Sequence, residues 1–291
     1  MKSVKDKIYL FIIWILIFPL SNEVNAKVEI VLGDVPLESN QNLALSIPVI
    51  EGNEIIISRH QYVISYNKLH RSANWVAWKL EAKQIGNSGR SNNFLQDSDL
   101  ENYFIQTSPK DHAVNQTEFR GSCYDRGHQI PSADRTDDSK NNQMTFLMSN
   151  MTPQTPYLNR VIWAHLEQYT RNLVQKQGKK AYVISGPIYD QDFGSIGPNR
   201  DIPIPSKNFK IIFVLDSNQN PQDINKETPI ISVIMPNTLE DGTNPINEQN
   251  KACKPLSSKT LDINDWEKYK APLEQIEKLS GFKIIPSTLK R

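Results

Sequence analysis

Between Asn159 and about Lys176 two stripes of side chains run along one helix, and together they limit what can surround it. Ile162, Leu166, Tyr169 and Leu173 recur at steps of three and four, the spacing of a single apolar face. Asn159, Trp163, Glu167 and Arg171 are each four apart and form a second stripe beside the first. Gly178 is placed to end the helix. Such a helix needs a core under one face and a cleft beside the other. The β-branched runs Ala181–Ser185, Lys210–Asp216 and Ile230–Met235, bounded by Gly, Pro or Asn, are expected central strands and supply that core. Upstream, Ile55–Ile57, Tyr62–Tyr66 and Trp75–Leu80 are strand-like too, the last as a half-buried strand. Gly86 to His112 is polar and turn-rich and is expected as loop. Pro272 suits the first turn of a final helix with Leu273, Ile276 and Leu279 inward and Gly281 at its end. The fold class is α+β. No internal repeat, glycine-rich phosphate loop or zinc-type Cys/His spacing occurs.

The chemistry is concentrated between Asp125 and Arg171. His128 follows Asp125, Arg126 and Gly127; Asn150 precedes Met151-Thr152-Pro153-Gln154; and Asn159, Glu167 and Arg171 share the helix stripe. This is an inventory for cutting a phosphodiester with one hard cation. Imidazole can accept a proton near neutral pH. A carboxamide and a carboxylate offer oxygens to a cation that keeps several waters. Guanidiniums neutralise charge growing on phosphate oxygens. Glu167 also has Arg171 one turn on as an ion-pair partner, and the two roles are compatible. Asn150 has the further reading of a turn cap before Pro153.

In order and spacing, "YDRGHQIPSADR", "FLMSNMTPQ" and "LNRVIWAHLEQYTR" resemble the DNA/RNA non-specific endonucleases, which are ββα-metal (His-Me finger) enzymes. The likeness extends to "YVISYNKLHRSANWVAWKL" upstream and to "VISGPIYD", "IPIPSKNFKIIFV" and "IEKLSGF" downstream, covering nearly all of the chain from about Tyr62. The resemblance implies a single domain with a central, largely antiparallel sheet flanked by helices and containing a ββα-metal motif. It implies Mg²⁺, with Mn²⁺ as a second candidate, and DNA and RNA as substrates cut with little sequence preference to leave 5′-phosphates. His128 would be the general base, Asn159 the direct metal ligand, and Glu167 the holder of metal-bound water. Asn150 would arrange the site. Arg126 and Arg171 would contact phosphate, and Arg90, in "GNSGRSNNF", would stabilise the transition state. Asp125 is expected to shape the turn and orient its neighbours. Two other readings fit the same residues: a phosphodiesterase for small or cyclic nucleotides, and a secreted binding protein that kept the fold without the activity. The joint presence of His128, Asn159 and Glu167 argues against the second.

Lys2, Lys5 and Lys7 precede an apolar run from Ile8 to Leu20, and Val24 and Ala26 occupy small-residue cleavage positions. Residues 1–26 are therefore expected to be a secretory signal, residues 27–58 an N-terminal extension, and 59–291 the endonuclease domain. The product would be exported, periplasmic or extracellular, with no stable membrane association; an uncleaved anchor is the alternative, though the run is short of the ~20 residues needed to span. Losing Lys2, Lys5 and Lys7 against Asp6 and Glu23 takes the formal charge from +1 to zero. A neutral chain has no global field to attract a polyanion, so binding must rest on a local basic cleft. In an exported chain Cys123 and Cys253 allow a disulfide, or equally two separate thiols.

Overall fold

The computed structural model describes residues 30–43, 54–245, 256–257 and 262–284. The expected signal, residues 1–26, and Cys253 lie outside them. A seven-stranded sheet forms the centre. Its strands are β1 (Val31–Gly33), β2 (Glu54–Ser58), β3 (Val63–Asn67), β4 (Ser72–Leu80), β7 (Lys179–Ile188), β10 (Lys207–Asp216) and β11 (Ile230–Pro236), in that spatial order. Only β1 and β2 run parallel; every other neighbouring pair is antiparallel. Residues 27–58, expected as an extension, thus supply two strands to the same sheet. Ile55, Ile56 and Ile57 are fully buried, and Asn42 accepts from the Lys79 amide at 3.1 Å, pinning the N-terminal segment to β4.

Alternation along each strand splits the apolar side chains between two cores. Ile64, Val76, Trp78, Val183 and Ile212 face one side, packed with Leu158, Ile162, Trp163 and Leu166. Val63, Trp75, Tyr182, Phe209, Ile211 and Phe213 face the other, packed with Ile276 and Phe282. β4 is therefore buried on both faces rather than half-buried, because helices cover both sides of the sheet. One extra residue, Asn74, enters β4 where the register slips between Ser65 and Tyr66. Opposite it a side chain cannot fit: a Cβ on Gly186 would stand 2.3 Å from the Asn74 carbonyl oxygen.

Among the described residues four α-helices flank the sheet: α1 (Ser98–Thr107), α2 (Ser139–Met144), α3 (Trp163–Gln177) and α4 (Leu273–Ser280). Pro272 caps α4 from outside its first turn, and Gly281 ends it at φ 81°. Helix α1 lies within the stretch expected as loop. It buries only Leu100 and Phe104, so its apolar face is too sparse to read as a period. Its anchor is tertiary. Asp97 accepts from the amides of Asp99 and Leu100 and also binds the buried Arg59 at 2.6 Å. Two further strands, β5 (Asp125–His128) and β6 (Met151–Gln154), pair antiparallel beside the sheet, and the chain then enters α3. This ββα unit carries His128, Arg126, Asn159, Glu167 and Arg171, while Asn150 stands just before β6 and Arg90 comes from the loop before α1. A small hairpin of β8 (Ser195–Ile196) and β9 (Ile202–Pro203) packs with it through Tyr124, Met148, Met151 and Phe193.

Candidate active site

His128 ends β5 opposite Met151, and Gly127 beside it pairs with Thr152. The glycine is needed: a Cβ there would stand 2.3 Å from the buried Gln154 side chain. Asn150 shapes the turn that follows. It is fully buried, donates to the carbonyls of Ile130 (3.0 Å) and Thr145 (2.8 Å), and accepts from the Ile130 amide (3.1 Å). Trp163, at the start of α3, donates its indole N–H to the His128 carbonyl at 3.2 Å. Strand, turn and helix are thereby locked around one imidazole.

That imidazole is buried, and its Nε2 has no hydrogen-bond partner. Its bond to the Arg126 backbone therefore uses Nδ1–H, which leaves Nε2 as the free acceptor. Burial, and then the charges of Arg90 and Arg126, push His128 down to about 3. The ring is therefore neutral at ordinary pH, with the Nε2 lone pair unprotonated. Phe146 lies edge-on to it, with ring centres 4.9 Å apart. The arginines sit on aromatic faces next to it: Arg90 lies 4.9 Å from the centre of Phe146, and Arg126 lies 3.9 Å from that of Phe94. Arg90 is further held by Ser132 Oγ (2.6 Å) and Asn92 Oδ1 (2.8 Å).

The helix stripe folds differently at its two ends. Asn159 lies in a π-helical turn, Leu158–Ile162, that precedes the regular α-helix. Its amide nitrogen donates to Asp125 Oδ2 at 2.8 Å. Asp125 in turn is gripped by Arg160, from Nε at 2.7 Å and Nη2 at 2.6 Å. With the amide N–H₂ committed to Asp125, the carbonyl oxygen is the end left to coordinate. Glu167 is largely buried, and its Oε1 lies 3.6 Å from Lys210 Nζ. Burial pushes its carboxyl up, while Lys210 and Arg171 oppose the shift. Arg171 itself donates to the buried Asp134 at 3.2 Å and to Gln168 at 3.4 Å.

Sequence reasoning passed over Arg160, Lys210, Asp134 and the two phenylalanines. Only Lys210 left a local signal. In "NFKIIFV" it falls on the same strand face as the core residues Ile212 and Val214, where a lysine needs a counter-ion. Among the described residues no group of three or more His, Cys, Asp or Glu could hold a metal ion. The available donors, one carboxamide and one carboxylate, suit a cation that keeps most of its water.

Residues 39–290 match the family described as DNA/RNA non-specific endonuclease. The chain belongs to that family. It is 36% identical over 233 residues to a nuclease of Nostoc sp., covering 79% of this chain and 73% of the relative. It is 27% identical over 246 residues to human mitochondrial endonuclease G, covering 80% and 70%. A crystal structure of the EndoG/EndoGI complex shares the fold, with a TM-score of 0.63 at 24% identity over 86% of this chain and 92% of that one. Like its family, the protein is a metal-dependent endonuclease that acts on DNA and RNA with little sequence preference.

Proposed function

We propose that His128 Nε2 is the base that takes a proton from the attacking water. The buried, unpartnered acceptor between two arginines carries this reading, since such an atom otherwise forfeits a hydrogen bond. Arg90 and Arg126 take up the charge that develops on the phosphate, and Arg171 adds to the positive face. Asn150 holds the turn after His128. Asn159 through its carbonyl, and Glu167 through water, would hold Mg²⁺ or Mn²⁺, which when bound supplies Lewis-acid stabilisation of the leaving oxygen. Departure of the 3′-oxygen leaves 5′-phosphates. Contacts confined to phosphate and sugar explain why sequence goes unread.

Plasmid and RNA digestion with and without chelator tests the metal dependence, and end-labelling of the products tests the phosphate position. His128→Ala should lower the rate by about 10² to 10⁴ while the fold is kept. Near-normal turnover in folded, metal-supplied His128→Ala would remove the assignment. The lysines and apolar run of residues 1–26 support an exported location, with an uncleaved anchor as the alternative; among the described residues no helix is long and apolar enough to cross a membrane. A Cys123–Cys253 disulfide accords with export, and no free cysteine occurs among the described residues. Thiol labelling of denatured, unreduced protein should find none; two reactive thiols would refute the bridge.

A further inference from the structure

Lys210 is an expensive residue where it stands. It occupies a central strand of the sheet, with its side chain 2% exposed, on the face that packs against α3. Its ammonium lies 3.9 Å from the centre of the Trp163 ring and 5.8 Å from that of Trp78. Two indoles replace part of its lost hydration, but a desolvated cation still needs an anion. The nearest is Glu167, at 3.6 Å. The second acid whose charge reaches it, Asp134, is already taken by Arg171 and by the Trp78 indole N–H at 3.0 Å. Four buried charges thus form two pairs, and Lys210 is Glu167's.

Buried pairs of this kind seldom stabilise a fold, and apolar replacements of similar volume are often neutral or better. Lys210 needs another reason to be there. We infer that Lys210 is a positioning residue for Glu167: its ammonium, held rigidly by β10 and two indoles, fixes the carboxylate in the orientation from which it serves the cation. Trp163 joins this device to the base, because the ring beneath Lys210 is the one that bonds the His128 carbonyl. Strand β10 thereby sets both the proton acceptor and the metal-side carboxylate. The inference rests on the role proposed above for Glu167.

The test is a double-mutant cycle read by Mn²⁺ dissociation constants from electron paramagnetic resonance, alongside urea unfolding. The proteins are wild type, Glu167→Gln, Lys210→Met and the double variant. Glu167→Gln should weaken Mn²⁺ binding about 10–100-fold, the usual cost of an outer-sphere partner. Lys210→Met should weaken it by a similar factor, and the double variant should be no weaker than Glu167→Gln alone. A merely structural Lys210 would move the urea midpoint and leave Mn²⁺ affinity where it was, which overturns the inference. So would losses that multiply in the double variant. If Lys210→Met fails to fold, Lys210→Gln replaces it in both the single and the double variant, and the same outcomes are read from it. An unchanged affinity in Glu167→Gln would instead sink the role of Glu167 itself. A loss there with none in the lysine variant sinks only Lys210.

Discussion

Asp125→Ala should damage metal binding far more than it damages the fold. The carboxylate accepts three hydrogen bonds, one from Asn159 and two from Arg160. The Arg160 side chain is 60% exposed, so that ion pair is worth at most about 1 kcal/mol. The bond from Asn159 to a charged acceptor adds about 1.5–3 kcal/mol where water is excluded, and less at this half-open position. Total stability should therefore fall by only about 1–2 kcal/mol. Metal affinity has more to lose. Without Asp125 nothing distinguishes the two ends of the Asn159 carboxamide, and its N–H₂ can turn toward the cation. Loss of such an outer partner costs about 10–100-fold in affinity. Asp125→Asn keeps an acceptor oxygen for Asn159 and should recover most of the loss, whereas Arg160→Ala should cost only a few-fold, in the range of an exposed pair. Mg²⁺ titrations of cleavage rate, with calorimetric Mg²⁺ binding beside them, measure this directly. If the Asp125→Ala curve overlays wild type while that of Asn159→Ala shifts, the carboxylate does not orient the ligand. If Asp125→Asn is as impaired as Asp125→Ala, the negative charge itself is what matters.

Other expectations follow from the same contacts. Arg126, held mainly by its stacking on Phe94, is available to phosphate; Arg126→Ala in a His128→Ala parent should lower the log–log salt slope of duplex binding by about one, and an unchanged slope would exclude it. Arg171→Ala should in addition destabilise the fold by about 3 kcal/mol, because it strands buried Asp134 with only the Trp78 indole as donor; a wild-type urea midpoint would contradict this. His128 is depressed from about 6.5 in the unfolded chain to about 3 in the folded one. The unfolded state therefore binds the extra proton first, and stability is lost as pH falls from about 6.5 toward 3. His128→Ala should show a shallower decline across that window, and equal slopes would refute the depressed value. Gly127→Ala should cost about 1–3 kcal/mol through collision with Gln154, measurable as a lowered Tm.

What could be read along the chain was whatever repeats at short range. The apolar stripe of α3, the β-branched runs of β7, β10 and β11, and the Gly178 and Gly281 helix ends are each decided by residues three or four positions away or fewer. Resemblance then named His128, Asn159 and Glu167, and the ββα unit brings all three to one flank of the sheet. Partnership was not readable. Arg171 lies one turn from Glu167, yet it bonds Asp134, while Glu167 pairs with a lysine on a strand that enters the sheet much later in the chain. Helix α1 depends on Arg59 reaching Asp97, and the N-terminal strands depend on an edge left open by β3. Such contacts have no period, because a buried charge takes whichever opposite charge the packed sheet and helices leave beside it. Local spacing determined the elements that repeat at short range, such as α3, β7, β10 and β11, and only the tertiary structure decided where α1 and the N-terminal strands form and which charges meet.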